Sequence, residues 1–264
     1  MSALLTVTNL AKAYRGVHAV EDASFCVERG SITGLIGPNG SGKSTTIDCI
    51  SGFQRLDRGR VMLEGADITG LTPQKIARAG LVRTFQTVRV YDEFDLVANL
   101  MIAVEPFRSV GWHDALLRTG RYRAARKAAE THARELIELV GLTRLAAAPA
   151  AILSYGQKKL LALAAALMSR PRLVVLDEPV AGVNPTRINE VATILRKAKA
   201  AGTSFLIIEH NVEFITGLCD HVIVFDQGRK LTEGPPAEVH NDPRVLDAYL
   251  GIEEPAPHAV AEAS

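Results

Sequence analysis

A chain of 264 residues, 47% of them hydrophobic, can bury a sizeable core, which excludes a wholly disordered protein. Thirty Lys and Arg against 29 Asp and Glu leave a formal charge of +1, which excludes a global electrostatic pull toward nucleic acid or anionic lipid. Cys26, Cys49 and Cys219 are odd in number, scattered and without metal-ligand spacing; they are expected to be reduced and buried, as in a cytosolic protein.

Along the chain, MSALLTVTNL lacks a basic lead and a cleavage site, and the longest apolar run, Leu160 to Met168, is too short to cross a bilayer. A soluble chain is expected, with any membrane role peripheral. Short β-branched runs at Leu4 to Val7, Ser31 to Ile36, Arg60 to Leu63, Leu173 to Leu176, Ser204 to Ile208 and His221 to Phe225 read as strands, with helical patterns between several of them. That alternation predicts an α/β domain with a mainly parallel central sheet. LVVL and FLII are nearly unbroken apolar runs, the pattern of strands covered on both faces.

The stretch from about Asp92 to Met168 is rich in Ala, Leu and Arg and has almost no strand signal. It reads as a helical insertion, dividing a core made of residues 1–91 and 169–250. Within it Arg118, Arg121, Arg123, Arg126, Lys127 and Arg134 form a basic cluster relieved by Glu130. The cluster reads as a solvated helix face or as a surface for a partner or the membrane. Residues 251–264, rich in Pro, Ala and Glu, have no hydrophobic period and are expected to be disordered.

GPNGSGKST, spanning Gly37, Pro38, Asn39, Gly40, Ser41, Gly42, Lys43, Ser44 and Thr45, follows a predicted strand and opens a predicted helix. This is the context a phosphate-binding loop requires. Glycines let backbone amides turn toward phosphate oxygens, and the helix N-terminus adds positive potential. Lys43 would reach the β and γ oxygens, and Ser44 would ligate Mg²⁺. LVVLDE, Leu173 to Glu178, is a buried strand ending in two carboxylates at the edge of the sheet where α/β ligands bind. Asp177 is expected to hold Mg²⁺, and Glu178 to orient or deprotonate the attacking water.

Between these motifs stands Leu153-Ser154-Tyr155-Gly156-Gln157. Ser154 and Gln157 have capping-box spacing before an apolar-rich helical segment, and such a helix N-terminus is an anion site. Alone, a capping box is only a helix start. Placed before the strand ending in Asp177 and Glu178, the segment makes the chain from about Leu4 to Gly251 resemble the ABC ATPase family.

That resemblance implies a P-loop NTPase (RecA-like) core with an antiparallel β-subdomain, into which Asp57 to Gly65 fits, and an inserted helical subdomain. It implies that Ser154, Gly156 and Gln157 bind the γ-phosphate of ATP held by a second ATPase subunit, the same chain or a paralogue. Tyr14 resembles the aromatic that stacks on adenine, although a tyrosine beside a strand is as often core. Gln86 in RTFQ resembles the loop glutamine linking metal and water to transmembrane permease subunits. His210 resembles the switch histidine on the γ-phosphate; without its neighbours it would read as a surface residue. The family's membrane partners and, indirectly, a solute-binding protein are implied as partners, with the chain on the cytoplasmic face of the membrane.

Three departures stand out: Tyr155 for a glycine, Asn184 for an aspartate, and Leu160 and Ala165 for signature-helix arginines. LSYGQ, AGVNP and DAYLG resemble the branched-chain amino acid importer subgroup, which implies ATP-driven uptake of those or related amino acids. The rival readings are a urea or amide importer or a lipid or lipopolysaccharide exporter, since the catalytic motifs do not encode cargo or direction. A soluble ABC ATPase working on ribosomes or DNA would usually carry two cassettes or long insertions. A P-loop kinase or GTPase would leave LSYGQ unexplained.

Overall fold

The structure, a computed structural model, describes residues 3–84, 90–103 and 112–250. In chain order the elements begin with β1 (Ala3–Tyr14), β2 (Val17–Glu28), β3 (Ile32–Ile36), α1 (Lys43–Ile50), β4 (Arg58–Leu63) and β5 (Ala66–Asp67). Next come α2 (Pro73–Ala79), β6 (Leu81–Arg83), α3 (Leu96–Ile102), α4 (Trp112–Leu116), α5 (Gly120–Leu139) and α6 (Tyr155–Leu167). The chain continues with β7 (Leu173–Asp177), α7 (Pro185–Ala200), β8 (Ser204–Ile208), α8 (Val212–Leu218), β9 (His221–Asp226) and β10 (Arg229–Gly234). It closes with α9 (Pro236–His240) and α10 (Pro243–Leu250).

Six strands form one sheet in the order β10-β9-β3-β8-β7-β6, parallel throughout except for β10 at its edge. The other four form an antiparallel sheet in the order β2-β1-β4-β5. The central strands are buried on both faces, and their side chains alternate between two cores. Val174, Leu176, Phe205 and Ile207 join the core shared with α3, α5, α6 and α7. Leu173, Val175, Leu206 and Ile208 join the core shared with α1 and the antiparallel sheet. The parallel sheet is therefore the middle layer, and Phe25 meets Phe225 edge to face at 6.0 Å between the two sheets.

Among the described residues between Asp92 and Met168 the regular elements are helices. In α5 the positions Ala133, Leu136 and Ile137 are buried, whereas Arg121, Arg123, Arg126, Lys127 and Arg134 are exposed. That is an amphipathic helix with its cations in solvent, Arg134 bonding Glu130 at 3.1 Å one turn away. The tail expected to be disordered, residues 251–264, and Gln86 lie outside the described residues.

One expectation is corrected. Cys49 and Cys219 are buried, but Cys26 is exposed, because alternation along β2 turns Phe25 and Val27 inward and leaves Cys26 on the outer face. Burial pushes the Cys49 thiol up to about 11 and the Cys219 thiol up to about 12. Native protein at neutral pH should therefore be alkylated first at Cys26, and Cys26→Ser should remove that fast phase; mass mapping after brief iodoacetamide treatment measures both.

Candidate functional site

Parallel pairing sets the site. Leu35 in β3 and Asp177 in β7 are both in register with Ile208 in β8, so these three strands end at one level. The loop after β3, the carboxylates at the end of β7 and His210 just past β8 therefore emerge together, at the sheet edge where α/β ligands bind.

In the phosphate loop Gly37, Gly40 and Gly42 have φ of 146°, 80° and 94°. Gly42 is the N-cap of α1 and supplies no side-chain cap, so the first helical amides carry no side-chain partner there. A Cβ at Gly42 would lie 2.4 Å from the Ala19 carbonyl oxygen, because β2 crosses directly over the loop. Lys43 is buried and its Nζ donates to the Gly37 and Pro38 carbonyls, at 2.8 Å each. Burial pushes its ammonium below the ordinary lysine range, opposed by Glu178 and Asp177. Asn39, Gly40 and Ser44 are exposed. Tyr14 stands 41% exposed at the tip of the hairpin whose return strand touches Gly42, with Lys12 Nζ 5.3 Å from its ring centroid.

Glu178 has φ 50°, and its N–H donates to the Ile208 carbonyl at 2.9 Å. This left-handed turn takes its side chain off the line of Asp177, and Glu178 Oε1 comes to 3.4 Å from His210 Nε2. Asp177 instead meets Arg83 at 3.1 Å, and Arg83 also bonds Asp48 of α1. Among the described residues no group of three His, Cys, Asp or Glu side chains could hold a metal alone. Mg²⁺ ordinarily takes one or two protein ligands plus phosphate oxygens, and the Ser44 hydroxyl with the Asp177 carboxylate fits that demand.

Ser154 caps α6: its Oγ accepts from Gln157 N and its own N–H donates to Gln157 Oε1, so the predicted capping box is present. Ser154 and Tyr155 are exposed. Leu160 is buried in the helical core and Ala165 packs against it, so these two positions are apolar because they face inward.

Three charged residues escaped the sequence reading. Arg83 joins β7 to α1, as described. Glu209, 4% exposed, accepts from Val180 N at 2.9 Å and from His210 N at 3.0 Å. Lys159 donates to the Glu178 and Ala181 carbonyls at 2.7 and 2.6 Å. A charged residue ending the apolar run FLII was the one available signal, pointing to Glu209.

The profile of the ABC transporter family matches residues 20–181. The chain belongs to the ABC transporter family. The profile of the branched-chain amino acid ATP-binding cassette transporter family matches residues 229–255, which take in β10, α9 and α10. The cassette is 36% identical to the high-affinity branched-chain amino acid transport ATP-binding protein BraF of Pseudomonas aeruginosa, over 94% of this chain and 98% of that protein. It is 38% identical to the probable branched-chain amino acid transport ATP-binding protein LivG of Archaeoglobus fulgidus, over 95% and 96%. Among solved structures it resembles the ADP conformation of an ATP-binding cassette of an ABC transporter, with a TM-score of 0.82 and 34% identity over 95% of this chain and 100% of that one. The chain is an ATP-hydrolysing cassette on a P-loop NTPase fold.

Gly42→Ala should destabilise the cassette by roughly 1–3 kcal/mol through backbone strain and the contact with Ala19, read as a lower urea midpoint at an unchanged m value.

Proposed function

We propose that the cassette energises uptake of branched-chain or related amino acids, with ATP hydrolysed between two cassettes closed head to tail. The observation that best supports this is the pairing of Glu178 with His210 at 3.4 Å, on the sheet edge that also carries the phosphate loop. The relatives that cover nearly all of the chain are named for branched-chain amino acid transport, which supports the cargo.

In this reading the amides of Gly37 to Thr45 hold the phosphates, Lys43 bridges the β and γ groups, and Tyr14 lies against the adenine. Ser44 and Asp177, with Gln86, would hold Mg²⁺, which would neutralise phosphate charge. Glu178 takes a proton from, or orients, the attacking water; His210 holds Glu178 and meets the γ-phosphate. Ser154, Gly156 and Gln157 act on the nucleotide of the other cassette, because a capped and exposed helix N-terminus offers donors outward.

No described helix is long and apolar enough to cross a membrane. On the proposed reading the cassette sits against transmembrane permease subunits at the cytoplasmic face, and a solute-binding protein delivers the amino acid from the other side.

Glu178→Gln should bind Mg-ATP yet turn over about 10² to 10⁴ more slowly, and should accumulate as an ATP-bound dimer in gel filtration. Near-normal phosphate release would remove Glu178 from its role. Ser154→Arg should abolish hydrolysis while monomer affinity for a fluorescent ATP analogue stays unchanged; lost affinity would refute action across the interface. The cargo is tested by co-purifying the membrane partners from the native host and identifying the ligand carried by the associated binding protein.

A further inference from the structure

We propose that Lys159 is a positioning residue that ties the N-terminal turns of α6 to the loop bearing Glu178, so that the Ser154 cap and Glu178 move as one body. This rests on Glu178 as the residue that activates water.

The loop that follows β7 is gripped from two sides by charges of opposite sign. On one side Lys159 Nζ donates to the carbonyls of Glu178 and Ala181, at 2.7 and 2.6 Å. On the other, the buried Glu209 carboxylate accepts from the Val180 amide at 2.9 Å, and the same carboxylate accepts from the His210 amide. An ammonium on carbonyls and a carboxylate on amides are each the stronger, charge-assisted form of hydrogen bond. Between them they fix three of the four residues from Glu178 to Ala181, and Glu209 extends the hold to His210.

Only the Lys159 side of this grip reaches α6. Its contact is widened by Tyr155 in the first turn of α6. The Lys159 ammonium lies 5.5 Å from the Tyr155 ring centroid, and the ring edge lies against Gly182, where a Cβ would stand 3.3 Å away. Lys159 is half-buried and faces Glu209, Glu178 and Asp177, which oppose the effect of burial on its charge. Lys159 supplies the positive charge on this face of α6, while Leu160 beside it packs into the core.

The coupling matters because Ser154 and Glu178 of one chain would serve different nucleotides in a closed pair. A rigid link between them would let arrival of one ATP at the Ser154 cap set Glu178 at the other site.

Lys159→Met removes both bonds while keeping the length of the side chain. Its affinity for a fluorescent ATP analogue as a monomer should stay within about twofold of wild type, since Lys159 bonds no residue of the phosphate loop. Its kcat should fall about 10- to 100-fold, and in the Glu178→Gln background less ATP-bound dimer should form. Lys159→Arg, which keeps charged donors, should recover most of both. Should Lys159→Met not fold, Lys159→Gln is put through the same assays. Wild-type turnover in the uncharged variant, or an equal loss of monomer ATP binding, would overturn the proposal. Glu178→Gln measured alongside separates the two ideas. A fast Glu178→Gln enzyme refutes the role of Glu178, whereas a slow one beside a fully active Lys159→Met refutes only the coupling.

Discussion

Everything at the site depends on the register of three parallel strands. With Leu35 and Asp177 both aligned on Ile208, the chain must leave β3, β7 and β8 at one level, whatever the loops contain. A slip of one residue in β7 would turn Val174 and Leu176 into the core now filled by Leu173 and Val175, reversing every side chain of a strand buried on both faces. Packing on two sides thus fixes a register that hydrogen bonds alone would leave free. The positions of the phosphate loop and of the carboxylates follow from it.

Charge enters this apolar frame only where it is matched. Glu209 is among the most buried ionisable groups, and three backbone amides, those of Val180, His210 and Asn211, point at its oxygens. A carboxylate removed from water without such donors would be costly, and a hydrogen bond to a charged group is worth about 1.5–3 kcal/mol. Arg83 is held similarly between Asp48 and Asp177, with the Phe53 ring 5.7 Å from its guanidinium carbon. These groups make the segments around Asp177, Glu178 and His210 one connected unit, where surface loops would move separately.

The sequence made the site legible wherever a short motif carries its own physics. GPNGSGKST needs its glycines for positive φ, and Ser154 with Gln157 is readable as a cap from spacing alone. The central strands were equally plain, because LVVL and FLII are apolar throughout. What escaped notice lacked either signal. β2 reads VHAVEDASFCVE, with charges and small residues on an exposed face, and it forms because β1 pairs with it along its length. β6 is three residues long and β10 is largely polar. Arg83, Lys159 and Glu209 meet partners 94, 19 and 29 residues away in the chain, and no local pattern encodes such meetings. Cys26 was misplaced for a related reason: with β2 itself unread, nothing showed that alternation would turn Phe25 and Val27 inward and Cys26 outward.

The signature helix illustrates how a departure from a family pattern is absorbed by structure. Arginines at positions 160 and 165 would have to place guanidinium groups where Leu160 and Ala165 now pack against the helical core. Burying such charges without partners is unfavourable, which accounts for apolar residues at both positions. Lys159 lies one position away, turned toward Glu178, Asp177 and Glu209, with its ammonium satisfied by two carbonyls. The positive charge on this part of α6 thus stands at 159, next to the buried Leu160 and more than a turn before Ala165, and it is tied to the acidic end of β7. Tyr155 adds to the same tie, because its ring meets the lysine ammonium and the edge of Gly182 together, a contact that glycine at 155 could not make.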